Sequence, residues 1–592
     1  MKKKITWIIV SCLMALSLVL ASCAPTTPTT PTTPTTPTTP TTPTTPTTPT
    51  TPTTEKNWWD KFGEPQYGDT ITTQIRGDIA HFDPWFWGRP IPLENLCIFD
   101  WTVDRKIFDF TTRYVPYQYD KGFLAESWEQ PDPLTYVFHI REGIYWQDIP
   151  PVNGREFTAY DVEYHFHRQL GLGSGYTEPS PFLDLSQWTL QSVTATDKYT
   201  VVFEWKEPSV DHTFTLIDPH LQGLIVPREA VELWGDVDDW RHSIGTGPFI
   251  ITDYVTGSSL TYVKNPNYYG YDERHPENRL PYADRLKELI IPDTATSLAA
   301  LRAGKIDLYN NIPWEQAKSL EKTNPELVQE PSAAWGIVLD MRCDKEPFTD
   351  IKVRTAMQMA IDLPTIASIY YGGVVEGVPY GLVGPCAPGY YTPFDEWPEE
   401  VKDGYTYNPE GAKQLLTEAG YPNGFATNVV TASDMDLDLL QILKAYLADI
   451  NVDMEIVVME TGVWQAFIRA EKHDQMDVST EGTALPMPPN LSLMRGLWPF
   501  ARNYTHNNDL HFNELYDRFV ASPDEAERME LSTEADMYAL EQHWRVNVLR
   551  PPVYQVFQPW LKGYSGEYVA GHKVFYFARF WIDQDLKKAM GR

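Results

Sequence analysis

Cysteine is scarce in this sequence of 592 residues, which contains only five. Two lie near the N-terminus, at Cys12 and Cys23, and the other three, Cys97, Cys343 and Cys386, are far apart. So few cysteines at such wide spacing predict neither a disulfide framework nor a zinc site. One disulfide among the last three cysteines and three buried thiols are both compatible with the sequence.

Positive charge is also in short supply, because 48 Lys and Arg residues stand against 80 Asp and Glu residues and the formal net charge is -32. Binding to nucleic acid requires clustered cations opposite the phosphates, so we expect no nucleic-acid partner. After Leu20 the sequence has no apolar run that approaches the ~20 residues of a membrane-spanning helix. The remainder has mixed composition, and its length allows two or three lobes.

The short motifs of common enzymes are absent from the sequence. It contains no nucleophile elbow, zinc-protease motif or phosphate-binding loop. The glycines of Gly171-Leu172-Gly173-Ser174-Gly175 have the wrong spacing for a phosphate loop, and the helical pattern around His165 and His167 separates their imidazoles. We therefore expect no enzyme, no catalytic residue, no metal site and no cofactor. The main alternative is a secreted glycoside hydrolase, because 80 acidic residues always offer a carboxylate pair.

The N-terminus has the pattern of a secretion signal. Residues 1–4 include three lysines, residues 5–20 are mostly apolar, and the run ends in Leu20-Ala21-Ser22-Cys23. A cysteine after small residues resembles the bacterial lipobox, so we expect residues 1–22 to be removed and Cys23 to carry lipid. The mature protein is then expected at the extracytoplasmic face of the cell envelope, anchored to the membrane. An ordinary signal peptide with a chance cysteine is the alternative.

Residues 23–66 are expected to form a linker and a lead-in to the folded body. A Thr-Thr-Pro repeat fills the linker up to Thr54 and offers no apolar side chains for a core. Proline at every third position favours polyproline II at ~3.1 Å per residue, so about thirty residues reach up to ~90 Å. A flexible coil has a shorter reach but the same role, which is to hold the body away from the membrane.

The body alternates between strand and helix patterns. Residues 135–140 alternate in polarity like a strand, and Thr158 followed by Asp161 is typical of a helix N-terminus. Asn408 followed by Pro409 marks the beginning of another helix. This alternation predicts α/β lobes.

Three neighbouring segments of the body carry its most specific motif: Leu124-Ala125-Glu126-Ser127-Trp128, residues 134–143 and Phe157-Thr158-Ala159-Tyr160-Asp161-Val162. They resemble the signature of the extracellular solute-binding proteins of the oligopeptide- and dipeptide-binding class, family 5 of the proteins that serve ABC importers. Further segments match the same class in the same order, at residues 245–249, 264–268, 291–296, 301–307, 353–356, 419–425 and 558–564. The resemblance therefore covers most of the body.

This resemblance implies an α/β fold of two lobes, the clamp of periplasmic binding proteins, with an extra subdomain on the first lobe. It also implies a monomer that captures a small polar ligand, peptide-like or oligosaccharide, outside the cell and delivers it to the permease subunits of an ABC-type importer. A surface sensor with the same fold is a further alternative. The expected boundaries are residues 67–292 for lobe I, with the subdomain at about 93–192, residues 293–547 for lobe II, residues 548–592 for the C-terminal return to lobe I, and crossovers near Ile291-Pro292 and Asn547-Val548.

The resemblance also bears on the ligand. In the peptide binders of the class, an aspartate in a Trp-x-x-Asp-Tyr-like segment pairs with the amino terminus of the peptide. The corresponding position here is Ala484, close to Thr483, and without a carboxylate a buried ammonium would lack its partner. This argues against ordinary peptide binding. Two interpretations of Glu481 remain open. Its carboxylate replaces the missing aspartate from a shifted position, or it is a solvated surface residue.

Aromatic side chains are the remaining candidates for the walls of the cleft. Phe82, Trp85 and Trp87 follow the first predicted strand, Trp335 precedes the predicted strand at residues 336–341, and Trp464 precedes the Glu481 loop. Flat aromatic faces suit the apolar faces of sugars and offer rigid contact area. For each of these residues the alternative is packing in the core.

Overall fold

Helices and strands alternate along the body, which confirms the α/β class. The computed structural model describes residues 57–592 apart from 87, 89, 112–114, 174, 182–188, 209–222, 333–336, 386, 388, 480–502 and 568–572. The described strands form two main sheets, a four-stranded sheet and three two-stranded pairs. Among the described helices, none has both the length and the apolar character that crossing a bilayer requires.

The larger main sheet has seven strands. Its central strand, Thr70–Ile75, runs parallel to both neighbours, Arg285–Ile290 and Leu308–Pro313. Helix Thr294–Arg302 connects these neighbours and begins at Asp293, whose carboxylate accepts a hydrogen bond from the Thr296 amide at 2.7 Å. In spatial order the strands are Val328–Ser332, Val553–Phe557, Leu308–Pro313, Thr70–Ile75, Arg285–Ile290, Ser259–Lys264 and Phe249–Val255.

The smaller main sheet has five strands, of which the first three are parallel. One face, with Leu339, Val478 and Val546, packs in an apolar core against helices Ile351–Met359 and Leu437–Asp449. Since side chains alternate along a strand, the residues between these face the other way, and they include charged ones. In spatial order the strands are Val452–Met459, Phe425–Ala432, Met476–Ser479, Val338–Met341 and Arg545–Asn547.

A four-stranded antiparallel sheet and helix Ala159–Leu170 form a separate layer. The predicted cap of this helix is confirmed, because the Thr158 amide donates to Asp161 Oδ2 at 2.9 Å within a capping box. Phe166 of the helix packs against Phe203 of the sheet, with ring centroids 5.0 Å apart. In spatial order the strands are Ala125–Asp132, Thr135–Ile140, Thr200–Trp205 and Leu190–Ala195.

The other described elements cover these layers. The strand pairs are Cys97–Phe99 with Asp120–Gly122, Tyr271–Asp272 with His275–Arg279, and Leu561–Lys562 with Trp581–Ile582. The remaining α-helices are Arg228–Trp234, Trp314–Thr323, Leu363–Thr365, Glu399–Tyr405, Pro409–Glu418, Thr461–Arg469, Leu510–Ala521, Glu525–Gln542, Lys573–Arg579 and Gln584–Ala589.

The chain passes between the two main sheets twice. The first connection leads from Ser332 to Val338, and the second leads from Asn547 to Val553. Ser332 pairs with Val553 in the larger sheet, and Val338 pairs with Asn547 in the smaller one. In each main sheet, one connection therefore begins and the other ends on neighbouring strands.

The first connection lies later in the chain than Ile291-Pro292, where the sequence places it. Strands Leu308–Pro313 and Val328–Ser332 follow that point and still belong to the larger sheet. The reason is that helix Thr294–Arg302 returns the chain to a parallel strand of the same sheet, as in a βαβ unit, instead of leading to the second sheet.

Candidate ligand-binding cleft

Both main sheets turn the carboxyl ends of their parallel strands toward the two connections. In the larger sheet, Ile75 and Pro313 end parallel strands at the edge from which Ser332 leaves. In the smaller sheet, Ser479 ends a parallel strand opposite Val338, where the first connection arrives. Ligands of open α/β sheets bind outside the carboxyl ends of the strands. The candidate cleft is therefore bordered by these two edges.

Asp83 fixes the loop that follows the central strand of the larger sheet. The Arg168 guanidinium donates to its two carboxylate oxygens at 2.9 and 2.6 Å, and both side chains are buried. The same carboxylate accepts the Trp85 amide at 2.9 Å and the Val237 amide at 3.1 Å. Burial alone would raise the pKa of Asp83, but the Arg168 guanidinium and these amides outweigh it and hold the pKa below its ordinary value.

Trp85 is half-buried and held from several sides. Its ring centroid lies 5.3 Å from the guanidinium carbon of Arg168 and 5.3 Å from the ring of Tyr176. Ser180 donates a hydrogen bond to the Trp85 carbonyl at 2.7 Å. By contrast, Phe82 is only 4% exposed and packs in the core of the larger sheet, so little of its ring faces outward.

His81 lies in the same loop and pairs with a distant carboxylate. Its Nδ1 is 2.9 Å from Asp238 Oδ2, and its ring stacks on Phe86 with centroids 5.2 Å apart. The other oxygen of Asp238 accepts the backbone amides of Phe82 at 2.8 Å and Asp83 at 3.3 Å. The pair is therefore part of the loop's own framework.

On the smaller sheet, Trp464 occupies the corresponding edge. It lies on helix Thr461–Arg469, which begins directly after strand Val452–Met459. Its indole Nε1 donates to Asp477 Oδ1 at 2.9 Å, and Asp477 is buried on its strand opposite Asp340. A half-buried tryptophan is thus held at this edge by a buried carboxylate.

The second connection contains a further cation. The Arg550 guanidinium donates to the Gly381 carbonyl at 3.3 Å and lies 5.5 Å from the ring of Tyr380. The neighbouring amide of Leu382 donates to Asp536 Oδ1 at 2.5 Å. Burial raises the pKa of Asp536 to about 7.

Several predicted residues lie outside the described part of the chain. Among them, the lipidation candidate is Cys23 and the ligand-binding candidates are Trp87, Trp335, Glu481, Thr483 and Ala484. Ile337 follows the segment of Trp335, and Ser479 precedes the segment of Glu481. Ile337 directly precedes Val338, which pairs with Ser479 at the edge of the smaller sheet that borders the candidate cleft.

Sequence reasoning identified the aromatic loop but missed its polar partners. Arg168 is 85 positions from Asp83, and Asp238 is 157 positions from His81. One sequence carries no signal for pairs at such separation. The sequence also gave no reason to select Arg550, which matters only because it lies in a connection between the sheets.

Two lobes built on separate sheets, joined by two connections that meet at one edge, define a two-lobed α/β binding protein. The chain belongs to the bacterial extracellular solute-binding proteins, family 5, whose middle-region profile matches residues 121–501. It is therefore a solute-binding protein of the extracytoplasmic class that delivers ligands to ABC importers, as the sequence predicts. Neither the glycoside hydrolase nor the surface sensor gains support.

Curated and solved relatives agree with this assignment. Heme-binding protein A of Haemophilus influenzae is 28% identical over 478 residues, which cover 76% of this chain and 83% of that protein. Glutathione-binding protein GsiB of Escherichia coli is 29% identical over 346 residues, which cover 58% of this chain but only 62% of GsiB. The periplasmic binding protein DppA of Helicobacter pylori, solved with the peptide STSA, has a TM-score of 0.70 at 23% identity, over 88% of this chain and 99% of DppA. The last match shows the shared fold.

Proposed function

We propose that the chain encloses one small polar ligand between its two lobes and presents the closed form to the permease subunits of an ABC-type importer. The observation that carries this proposal is that the parallel strands of both main sheets end at the two connections. A ligand at that edge contacts both lobes, and closure is favoured only by contacts that bridge them. We assign lobe I to the larger sheet with the four-stranded layer, and lobe II to the smaller sheet.

The ligand is a small organic molecule with a flat or extended surface. Trp85 and Trp464 support this, because each is half-buried, fixed by hydrogen bonds and placed at the edge of one main sheet. The names of the relatives add heme and glutathione to the peptides and oligosaccharides that the sequence suggests. The remaining proposed contacts are Phe82, Trp87, Trp335, Glu481, Thr483 and Ala484.

The N-terminal sequence supports a position at the cell envelope for the proposed function. The lysines, apolar run and small residues before Cys23 support lipidation at that cysteine, and the Thr-Thr-Pro repeat supports a tether. We infer a monomer that is anchored to the membrane by lipid and performs no catalysis. Mass spectrometry of the membrane-extracted protein tests the anchor, since a lipid-modified N-terminal cysteine is expected and an unmodified one would contradict it.

The ligand-binding proposal is tested by a thermal-shift screen of the full chain against short peptides, glutathione, heme and oligosaccharides. A ligand that binds the folded state raises the melting temperature by mass action. Small-angle scattering with the best ligand is then expected to show a smaller radius of gyration, because the lobes close. Turnover of a ligand that a single carboxylate substitution abolishes would overturn the proposal and favour a hydrolase.

A further inference from the structure

A pocket lies beside the edge strand of the smaller sheet, at the end away from the candidate cleft. The second connection leaves strand Arg545–Asn547 at Asn547. His543 precedes the same strand at its other end and lines a cavity of about 350 Å³. None of the described residues that line this cavity belongs to a connection or is a candidate contact of the cleft. The pocket is therefore a separate feature of the molecule.

The C-terminal ends of three helices meet at this pocket. Helices Ile351–Met359, Glu399–Tyr405 and Glu525–Gln542 each contribute a residue of their last turn to its lining. His543 caps the third helix, and its amide donates to the Leu540 carbonyl at 3.2 Å. The C-terminal end of a helix carries roughly half a negative elementary charge, which stabilises a nearby cation. The backbone around the pocket therefore favours positive charge.

The side chains around the pocket favour positive charge as well. The carboxylates of Glu400, Asp403 and Glu541 line it, and among the described lining residues none is Lys or Arg. Within the part of the chain that the structure describes, these carboxylates form neither an ion pair nor a side-chain hydrogen bond. They are free to bind a cation that comes from outside.

Two cations on the same helices are bound to other partners. Lys402 Nζ donates to Glu399 Oε1 at 2.9 Å. The Arg354 guanidinium donates to the Phe348 carbonyl at 2.7 Å and to the Gln542 carbonyl at 3.0 Å. Neither side chain neutralises the carboxylates of the pocket.

His543 supplies a buried acceptor beside these carboxylates. The residue is only 5% exposed, and its ring stacks on Tyr405 with centroids 4.7 Å apart. Burial, together with the Arg354 guanidinium, lowers the pKa of the imidazole to about 3, so the ring is neutral and one of its nitrogens accepts. Nδ1 has no hydrogen-bond partner, and no described residue hydrogen-bonds to Nε2. A Cβ at Gly404 would lie 2.5 Å from Nε2, so the glycine leaves this nitrogen open.

We propose that this pocket binds a small organic cation, an ammonium or guanidinium compound with a short alkyl chain. Its cationic group donates hydrogen bonds to the carboxylates and to the open nitrogen of His543, which removes the cost of leaving a buried polar atom unpaired. Val401 and Met359 offer apolar surface to the alkyl chain. The cavity is at the small end of the range for small-molecule sites, about 300–1,000 Å³. This inference does not rest on ligand capture in the cleft.

The test uses agmatine, in which a short alkyl chain joins a guanidinium group to an ammonium group. Isothermal titration calorimetry of the full chain is expected to show binding of agmatine and no binding of butanol, a neutral molecule with a similar chain. Added salt is expected to weaken the binding of agmatine because the contacts are between charges. Absence of agmatine binding, or equal binding of butanol, overturns the inference.

Two changes to the pocket locate the bound molecule. The triple variant Glu400→Gln, Asp403→Asn and Glu541→Gln removes the three carboxylates, and we expect the affinity for agmatine to fall at least about tenfold. His543→Phe keeps an aromatic ring against Tyr405 but removes both nitrogens, and a similar loss is expected. The melting temperature without agmatine shows whether each variant is folded. The triple variant changes only exposed side chains, so it tests the site even if His543→Phe does not fold.

A second triple variant is the matched control for charge. Glu514→Gln, Glu530→Gln and Glu534→Gln remove the same charge from exposed positions on helices Leu510–Ala521 and Glu525–Gln542, outside the lining of the pocket. This variant is expected to bind agmatine as the unsubstituted chain does. Equal losses in the two triple variants would show a general attraction to an acidic protein and overturn the inference.

The outcomes also separate this inference from the proposed function. Agmatine binding that persists undiminished in the pocket variants places the molecule elsewhere, so the inference fails while ligand capture in the cleft stands. If agmatine binding is lost in the pocket variants but no member of the thermal-shift panel binds the unsubstituted chain, the pocket stands and the proposed ligand capture fails.

Discussion

Asp340 and Arg545 lie directly opposite each other on neighbouring strands of the smaller sheet, and their side chains form an ion pair at 2.8 Å. Both are buried, and Asp477 lies on the other side of Asp340 in the same register. Two carboxylates and one guanidinium thus form a charged row inside the smaller sheet. The arginine is the cation of this row, so its removal affects more than one contact.

Replacing Arg545 by Met leaves the Asp340 carboxylate buried without its cation. We expect the free energy of unfolding to fall by about 3–5 kcal/mol, measured by urea denaturation, because an uncompensated buried charge is costly. Arg241→Met is the control, since Arg241 and Asp239 form an exposed pair at 3.1 Å whose loss is expected to cost about 1 kcal/mol or less. Equal losses in the two variants would contradict the role assigned to the buried row.

Trp85→Ala is expected to weaken binding of whichever ligand emerges from the thermal-shift screen. The expected loss is at least about tenfold, or ~1.4 kcal/mol, because the substitution removes the preorganised aromatic face that we propose as a wall of the cleft. The control is Trp128→Ala, a half-buried tryptophan that stacks on Phe138 in the four-stranded sheet. Isothermal titration calorimetry measures both, and unchanged affinity in Trp85→Ala would remove this residue from the site.

Asp536 links the stability of the protein to pH. Its pKa rises from 3.8 to about 7 on folding because the carboxyl group is buried, so between about pH 4 and pH 7 the folded state keeps a proton that the unfolded state has lost. The stabilisation that this group contributes is fully present below the pKa of the unfolded state, 3.8, and is lost as the pH rises through the pKa of the folded state, about 7. We expect Asp536→Asn to remove a slope of up to about 1.4 kcal/mol per pH unit in this window.

Denaturation at several pH values measures that slope. Glu534→Gln, an exposed change on the same helix, is expected to leave it unaltered. Glu94 has a pKa raised to about 7 by the same cause, so part of the slope remains in Asp536→Asn. An unchanged slope in that variant would show that Asp536 does not keep its proton in the folded state.

Gly381→Ala is expected to destabilise the protein by about 1–3 kcal/mol, because added atoms in a packed site force their neighbours to move. A Cβ at this position would lie 2.2 Å from Asp536 Oδ1, which the Leu382 amide holds in place. Gly77→Ala is the control, since no heavy atom lies within 4 Å of its added Cβ. Comparable melting temperatures for the two variants would argue against this close contact.

Local features of the fold were predictable from the sequence because their partners are close in the chain. The Thr158 cap is confirmed three residues from Asp161, and Asn408 Oδ1 accepts the Gly411 amide at 2.9 Å at the beginning of helix Pro409–Glu418. Motifs of several residues also sufficed to recognise the family. These signals depend on short separations or on residue identity alone.

The path of the chain between the two main sheets was harder to predict from the sequence. A helix that begins at Asp293 has the same cap and apolar stripe whether it returns to its own sheet or leads to another one. The contacts of the site were also out of reach, since Asp83 with Arg168 and His81 with Asp238 meet only after the sheet and the four-stranded layer are assembled. Folding creates these pairs, whereas the local pattern does not specify them.

The residues at which the two connections leave and enter the sheets are paired, Ser332 with Val553 and Val338 with Asn547. Paired end points of this kind define a single axis for the closure that we propose. Bending about that axis changes the span of both connections equally, whereas a twist lengthens one span and shortens the other. On that proposal the lobes open and close along one arc, and a permease meets the same closed outline for every ligand.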